Sequence, residues 1–229
     1  MSDIGGVATA PDGASSRLGR VLALPLCDQL NFAWLRYYRA KGWLLYRGIF
    51  ASYGRGSAIY PPTLIGGARF IHIGERVIIR KGVRLEAVLL DPDRPPEIRI
   101  GYDVIIEQDA HIVTTGRILI GDRAGLGPRA TILGASHPFF DVHSPVKIAG
   151  RFGGAGSSTE IGAGSLLGAG SVVQMNAKIG KHVVVGSGAV VRGRVPDYCV
   201  VEGNPAAVVL RHDAEHDRWQ PPETKGRGR

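Results

Sequence analysis

The sequence predicts an all-β solenoid, a parallel β-helix of six-residue units, and three observations carry that expectation. From Ile161 onward, bulky aliphatics recur every six residues, at Ile161, Leu167, Val173, Ile179, Val185 and Val191. Two places before each following aliphatic stands a small or branched residue: Ser165, Ser171, Ala177, Val183 and Ala189. Side chains two apart on a strand share a face, so each unit sends one such pair inward. Glycines crowd the intervening turns (Gly162, Gly164, Gly168, Gly170, Gly180, Gly186, Gly188), where positive φ costs them least. A helix is incompatible with this spacing, because six residues rotate by about 600° and would smear the apolar face around the axis.

The same units occur upstream. Ile73, Ile79 and Leu85 come with Val77 and Val83; Ile100, Ile106 and Ile112 follow; Ile120, Leu126 and Ile132 come with Ala124 and Ala130. Three units close one coil of a triangular prism, and neighbouring coils pair about 4.8 Å apart. The near absence of charge in "EIGAGSLLGAGSVVQMNAKIGKHVVVGSGAVV" (160–191) follows from that stacking, since an unpaired corner charge would meet a like charge one coil above. Two stretches leave the pattern: "LDPDRPPE" in the upstream coils, and residues 138–160, "PFFDVHSPVKIAGRFGGAGSSTE". A long loop on a rigid scaffold is a usual place for function.

The remaining segments divide the chain into a flexible leader (1–16), a helical cap (17–55), the β-helix (56–195) and a C-terminal extension with a basic tail (196–229). The leader lacks the basic-then-apolar pattern of a secretory signal. Residues 17–50 set Trp34, Trp43, Tyr37, Tyr38 and Tyr46 among Arg and Lys, with a break expected near Pro25. A helix there covers the open end of the prism. The second reading of the same stretch is peripheral contact with an anionic membrane. Pro196, Pro205, Pro221 and Pro222 end the repeat, and the last dozen residues, including "TKGRGR", read as disordered.

With 229 residues, 44% of them hydrophobic, the chain has enough material for one domain with a sizeable core. A net charge of +8 favours anionic partners. Nucleic acid is disfavoured, because aromatics are scarce, part of the charge sits in the tail and no nucleic-acid-binding motif is present. Cys27 and Cys199 are too few for a disulfide framework, so a cytoplasmic setting is expected. No apolar run reaches the roughly 18 to 20 residues of a membrane span.

His137 stands in "ATILGASHPFF", where the repeat stops and the long loop begins. Imidazole is well suited to take a hydroxyl proton near neutral pH. Through "IGDRAGLGPRATILGASHP" (120–138), the repeats of 161–191 and the closing "VVEGNPAAVVLR", the chain resembles the hexapeptide-repeat acyltransferases. These have a left-handed β-helix; the resemblance is strongest to galactoside and maltose O-acetyltransferases and to bacterial polysaccharide O-acetyltransferases.

That resemblance, spanning about residues 59–211, implies a homotrimer that transfers acetyl from acetyl-CoA to a saccharide hydroxyl, without a metal. It implies His137 as general base and Gly168 and Ala169 as the backbone segment facing the oxyanion, where a preorganised N–H counts for much of acyl-transfer catalysis. It places the cofactor arm between subunits, past Leu166, Gly186 and Ser187. Arg192, Arg194 and Arg211 are candidates for the cofactor phosphates, because guanidinium pairs well with phosphate. Relatives often carry tryptophan at Leu166 and serine at Ala169; the backbone donor survives both changes. Glu107, Asp109, His111 and Asp141 are candidates to contact substrate or orient His137, and Phe139, with Phe140, to shape the acceptor pocket.

Three other functions fit the architecture. N-acetylation of an amino-sugar nucleotide or an antibiotic is the enzymatic alternative. A non-catalytic β-helix scaffold is the second. A zinc enzyme of the gamma carbonic anhydrase kind needs three converging histidines, whereas His111 and His137 fall on different coils and His212 and His216 in the extension.

Overall fold

The computed structural model describes residue 21 and residues 23–222, so the expected flexible leader and the "TKGRGR" tail lie outside the described residues. The inward pairs of the repeat stack into three sheets that form the sides of a prism. Sheet A holds seven parallel strands: Ser52–Tyr53, Ile71–Ile73, Glu97–Ile100, Arg117–Ile120, Ser158–Ile161, Lys178–Ile179 and Arg194–Val195. Sheet B begins with Ala58–Ile59 and runs through Ile78–Ile79, Ile105–Ile106, Gly125–Leu126, Leu166–Leu167 and Val184–Val185 to Cys199–Gly203. Sheet C stacks Leu64–Gly66, Arg84–Ala87, His111–Thr114, Thr131–Gly134, Val172–Val173 and Val190–Val191. The chain visits A, B and C in turn. Coil 3 covers residues 97–114, coil 4 117–134, coil 5 158–173 and coil 6 178–191.

Register keeps like positions above one another. Leu85, Ile112, Ile132, Val173 and Val191 form one inward column, and Ile100, Ile120, Ile161 and Ile179 another. All of them are buried. At roughly 25 cal/mol per Å² of apolar surface removed from water, these columns are the main source of stability. The outward positions differ by face. Sheet A is charged and its carboxylates are paired with cations: Glu97 accepts from Arg99 at 2.5 Å and from Arg117 at 3.0 Å, and Lys178 donates to Glu160 of the neighbouring coil. Burial of Glu97 opposes its ionisation, but the two arginine hydrogen bonds prevail and hold it below the usual carboxylate range. Sheet B presents Ile105, Leu166, Val184 and Val200 instead.

Both excursions leave the same edge, between sheets C and A. One covers residues 88–96 and the other 135–157. The longer one ends earlier than the sequence suggests, because Ser158–Ile161 already pairs with Arg117–Ile120.

The ends are closed differently. Helix α1 (Leu26–Leu45) starts directly after Pro25, which has no N–H to donate into a helix interior. It crosses the first strand of sheet B, setting Tyr38 against Tyr60 at 4.5 Å between ring centroids, while Phe50 and Tyr53 fill the bottom of the column. At the other end the chain reverses. Cys199–Gly203 pairs antiparallel with Ala206–Asp213, which pairs with Arg218–Gln220. The first residues of the segment expected to be disordered are therefore a strand, held by backbone pairing of Arg211 with Gln220 and Asp213 with Arg218.

The turn glycines also need correction. Gly164, Gly170 and Gly188 have positive φ, but Gly162, Gly168, Gly180 and Gly186 do not. A Cβ at Gly162 would run into the Gly180 carbonyl of the coil above, and one at Gly168 into the Ser187 amide. Those glycines permit close stacking. Arg76, Asp103, Arg123, Asn176 and His182 adopt positive φ without being glycine.

Two measurements check this account. Gly193→Ala, with φ +70° and open space at its Cβ, is expected to cost only about 1 kcal/mol of backbone strain, or about 2–4 °C in Tm. Gly162→Ala must push two coils apart and is expected to lose roughly 3 kcal/mol or more; equal Tm losses in calorimetry would refute the stacking role. The lowered carboxylates of Glu97 and Glu160 make the charged ladder on sheet A stabilising above their unfolded-state pKa of about 4.3. That stability is expected to disappear as pH falls below this value, and Glu97→Gln should flatten the acid limb of a Tm-versus-pH curve.

Candidate functional site

Four buried hydroxyl side chains pin the base of the 135–157 excursion at the edge between sheets C and A. Thr114 and Ser157 donate to the Gly134 carbonyl at 3.2 and 3.0 Å. Thr115 donates to the Gly153 carbonyl at 2.8 Å, and Thr159 to the Leu133 carbonyl at 3.3 Å. Each is buried beside the apolar column, where an unpaired hydroxyl is costly. Reciprocal backbone bonds between Ser136 and Gly153, at 3.1 and 2.9 Å, then pair the outgoing and returning strands.

His137 follows directly. Its Nδ1 lies 2.7 Å from the Arg151 carbonyl, and its ring is 5.1 Å from that of Phe152. A carbonyl only accepts, so Nδ1 carries the hydrogen and Nε2 keeps the lone pair. The exposed ring thus presents its basic nitrogen outward. Arg151 has a second role. Its guanidinium donates Nε–H to Val146 O at 2.7 Å, and its terminal nitrogens donate to Asp141 O at 2.7 Å and Ser144 O at 3.3 Å. One side chain therefore gathers three loop carbonyls while its own carbonyl orients the imidazole. The sequence reading missed Arg151, although it is the only arginine between 135 and 157. Its acceptors are backbone and leave no residue signature.

The remaining candidates divide between edges. At the edge between sheets B and C, Gly168 gives its N–H to Val185 O at 2.7 Å and Gly170 gives its own to Pro128 O at 2.9 Å. Between them the Ala169 N–H has no acceptor among the described residues. Ser187, one coil above, repeats the arrangement between Gly186, bonded to Val201 O at 2.8 Å, and Gly188, bonded to Ala169 O at 2.9 Å. Of the Gly168–Ala169 pair, Ala169 is thus the available donor. Leu166 lies beside this edge, 48% exposed and paired with Val184.

Below it, in coil 3, come Glu107 (3.9 Å from Arg80), Asp109 and the outward His111. Burial, reinforced by Arg84, pushes the His111 pKa down, and its buried Nε2 has no partner among the described residues. Arg192 and Arg194 flank the upper C/A turn, whereas Arg211 sits on the terminal hairpin, so the three arginines are not brought together. Asp141 turns its carboxylate to the His143 N–H at 3.0 Å and not to His137. Phe139 and Phe140 stack on each other at 4.4 Å, and Phe140 is 84% exposed, so within one chain these rings do not pack back onto the prism. No group of three or more His, Cys, Asp or Glu among the described residues is placed to hold a metal ion.

Comparison with known proteins follows the same lines. The family model "Bacterial transferase hexapeptide (six repeats)" matches residues 158–193. A "Probable acetyltransferase Rv3034c" of Mycobacterium tuberculosis is 30% identical over 178 residues, 76% of this chain and 54% of that protein. "Serine acetyltransferase 4" of Arabidopsis thaliana is 28% identical over 139 residues, covering 56% of this chain and 35% of that protein. The chain thus spans about half or less of the length of these curated relatives. Among solved structures, AntD, an N-acyltransferase from Bacillus cereus in complex with dTDP and 3-hydroxybutyryl-CoA, superposes with a TM-score of 0.62 at 20% identity, covering 76% of this chain and 89% of that one. At that identity the likeness shows the fold. Repeat, fold and relatives agree: the chain has the repeat and the fold of the hexapeptide-repeat acyltransferase superfamily.

Proposed function

We propose that this chain is a cytoplasmic acetyl-CoA-dependent O-acetyltransferase that modifies a hydroxyl of a saccharide, such as a bacterial surface polysaccharide or its precursor. The observation that carries the reading is the 2.7 Å contact of His137 Nδ1 with the Arg151 carbonyl, which gives the hydrogen to Nδ1 and leaves Nε2 as the nitrogen to accept a proton. The relatives named acetyltransferases and the N-acyltransferase fold support the acyl-CoA donor.

Coil geometry supports a homotrimer of left-handed prisms. Thr131–Gly134 separates the His137 edge from the Ala169 edge by roughly 10 Å, at about 3.3 Å per residue. One thioester carbonyl cannot reach both in a single chain. Three prisms with sheet C inward set the C/A edge of one against the B/C edge of the next, matched coil for coil. His137, at coil 4, then faces a wall with Glu107, Asp109 and His111 one coil below and Ala169 one coil above. The acyl donor lies in the upper groove beside Leu166, Gly186 and Ser187, and its phosphates meet Arg192, Arg194 or Arg211. The exposed Phe139, Phe140 and Val142 are covered by the neighbour.

In this arrangement Nε2 of His137 takes the acceptor hydroxyl proton as the oxygen attacks the thioester carbonyl. The Ala169 N–H donates to the resulting oxyanion. Collapse breaks the C–S bond, and the leaving thiolate takes the proton back from His137.

His137→Ala is expected to lower kcat about 10²- to 10⁴-fold with acetyl-CoA affinity by calorimetry little changed; unchanged turnover would remove the base. Arg151→Ala, and equally Arg151→Lys, which lacks the planar fork, should lower kcat roughly 10- to 100-fold through misorientation while the KM for acetyl-CoA holds. Turnover should be screened against hydroxyl and amino sugars. A hydroxylamine-labile ester supports O-transfer, a resistant amide assigns the N-acyl alternative, and absence of acetyl-CoA binding with indifference to His137→Ala favours a scaffold.

A further inference from the structure

Helix α1 turns its more apolar side away from the protein. At about 100° per residue, Leu26, Leu30, Tyr37 and Leu44 fall within about 40° of one another, and Trp34 and Trp43 flank them. All six are exposed, from 40% at Trp43 to 76% at Leu44. Leu35, Tyr38 and Gly42 occupy the opposite side, and Gly42 is the only buried residue in the helix. A helix that served only to cover the prism would show the reverse pattern. Leu45 and Ile49 extend the exposed apolar surface past the helix end.

The charge around this stripe has one sign. From Leu26 to Arg55 the chain carries Arg36, Arg39, Lys41, Arg47 and Arg55 against a single acid, Asp28. Three of the arginines stand over aromatic faces: Arg36 over Phe32 at 5.9 Å, and Arg47 and Arg55 over Trp43 at 4.9 and 5.9 Å. Tryptophan, tyrosine and cations beside an aliphatic stripe form the composition suited to a membrane–water interface. No helix among the described residues is long and apolar enough to cross a membrane, so such contact would lie along the surface.

We propose that α1 docks the protein on an anionic phospholipid bilayer, with Leu26, Leu30, Trp34, Tyr37 and Leu44 at the headgroup–acyl boundary and Arg36, Lys41 and Arg47 on lipid phosphates. Charge selects this occupant. A second copy packed stripe to stripe would oppose cations to cations with one acid per copy to relieve them, whereas an anionic surface neutralises Arg36, Lys41 and Arg47. None of these residues belongs to the site at His137, so the proposal stands apart from the acyl-transfer reading.

The test is co-sedimentation of the full chain with vesicles of phosphatidylglycerol and phosphatidylethanolamine, against phosphatidylcholine alone. Wild type should partition onto the anionic vesicles and be released by salt. The Leu30→Glu/Leu44→Glu and Arg36→Gln/Arg47→Gln pairs should each weaken partitioning about tenfold or more at unchanged Tm. Three outcomes would overturn the proposal: failure of wild type to bind either vesicle, binding indifferent to the leucine pair, or leucine variants that change the assembly mass by light scattering. The last would assign the stripe to contact between copies.

Discussion

In-register pairing of each coil with the next is the constraint from which the rest of this structure follows. Every strand must meet its neighbour residue for residue, as Arg117–Ile120 does with Glu97–Ile100 below and Ser158–Ile161 above. An insertion can therefore exist only if it leaves and re-enters at one corner without shifting the register. The 135–157 excursion meets this condition through Thr114, Thr115, Ser157 and Thr159, whose buried hydroxyls donate to the Gly134, Gly153 and Leu133 carbonyls and tie its two ends to the coil. The rigidity of the prism is thereby passed to His137, one residue beyond the Ser136–Gly153 bridge. For the base proposed at His137, that attachment supplies the fixed position that proton transfer within hydrogen-bond reach requires.

The same stacking separates what one chain can contribute to one reaction. An imidazole at the C/A corner and a spare amide at the B/C corner lie on opposite margins of sheet C. The three faces differ accordingly. Sheet A carries the paired ions Glu97, Arg99, Arg117, Glu160 and Lys178 and is satisfied in water. Sheet C carries Val172 and Val190 at its outward upper positions, half-buried within one chain. Sheet B is apolar outward as well, so it is the position of sheet C between the two margins, and not its composition, that selects it in the proposed trimer.

What could be read in the sequence was whatever the period carries. Ile73 to Val191 announce an inward column because a six-residue recurrence matches neither the 3.6-residue turn of a helix nor the plain alternation of a long strand. His137 announces itself by standing where the recurrence fails. The period is silent about polar groups inside the column, since Thr114 and Ser157 look like surface residues until the excursion is seen to need their hydrogen bonds. It misassigned four of the seven turn glycines, because a glycine that admits a carbonyl from above and one that adopts positive φ are the same letter. The orienting partner of His137 was illegible in principle, being the backbone oxygen of Arg151. The hairpin at Arg218–Gln220 was hidden by its polar composition, because its order comes from pairing with Ala206–Asp213 and owes little to burial.

Helix α1 marks the limit of the stacking argument, and its outward face has to be understood on other grounds. A lid over an open column needs an apolar inner side, yet here Phe50, Tyr53 and Tyr46 close the column from below the helix and only Gly42 of α1 is buried. Tyr53 sits so closely under Gly42 that a Cβ there would strike its ring, and burial drives the Tyr53 phenol well above its ordinary pKa. The helix is thus gripped at one glycine and otherwise left with its leucines and tryptophans in the open. Closing the prism accounts for the grip but not for the leucines. The docking proposed above, on a second apolar phase bearing negative charge to meet Arg36, Lys41 and Arg47, accounts for both the stripe and its rim.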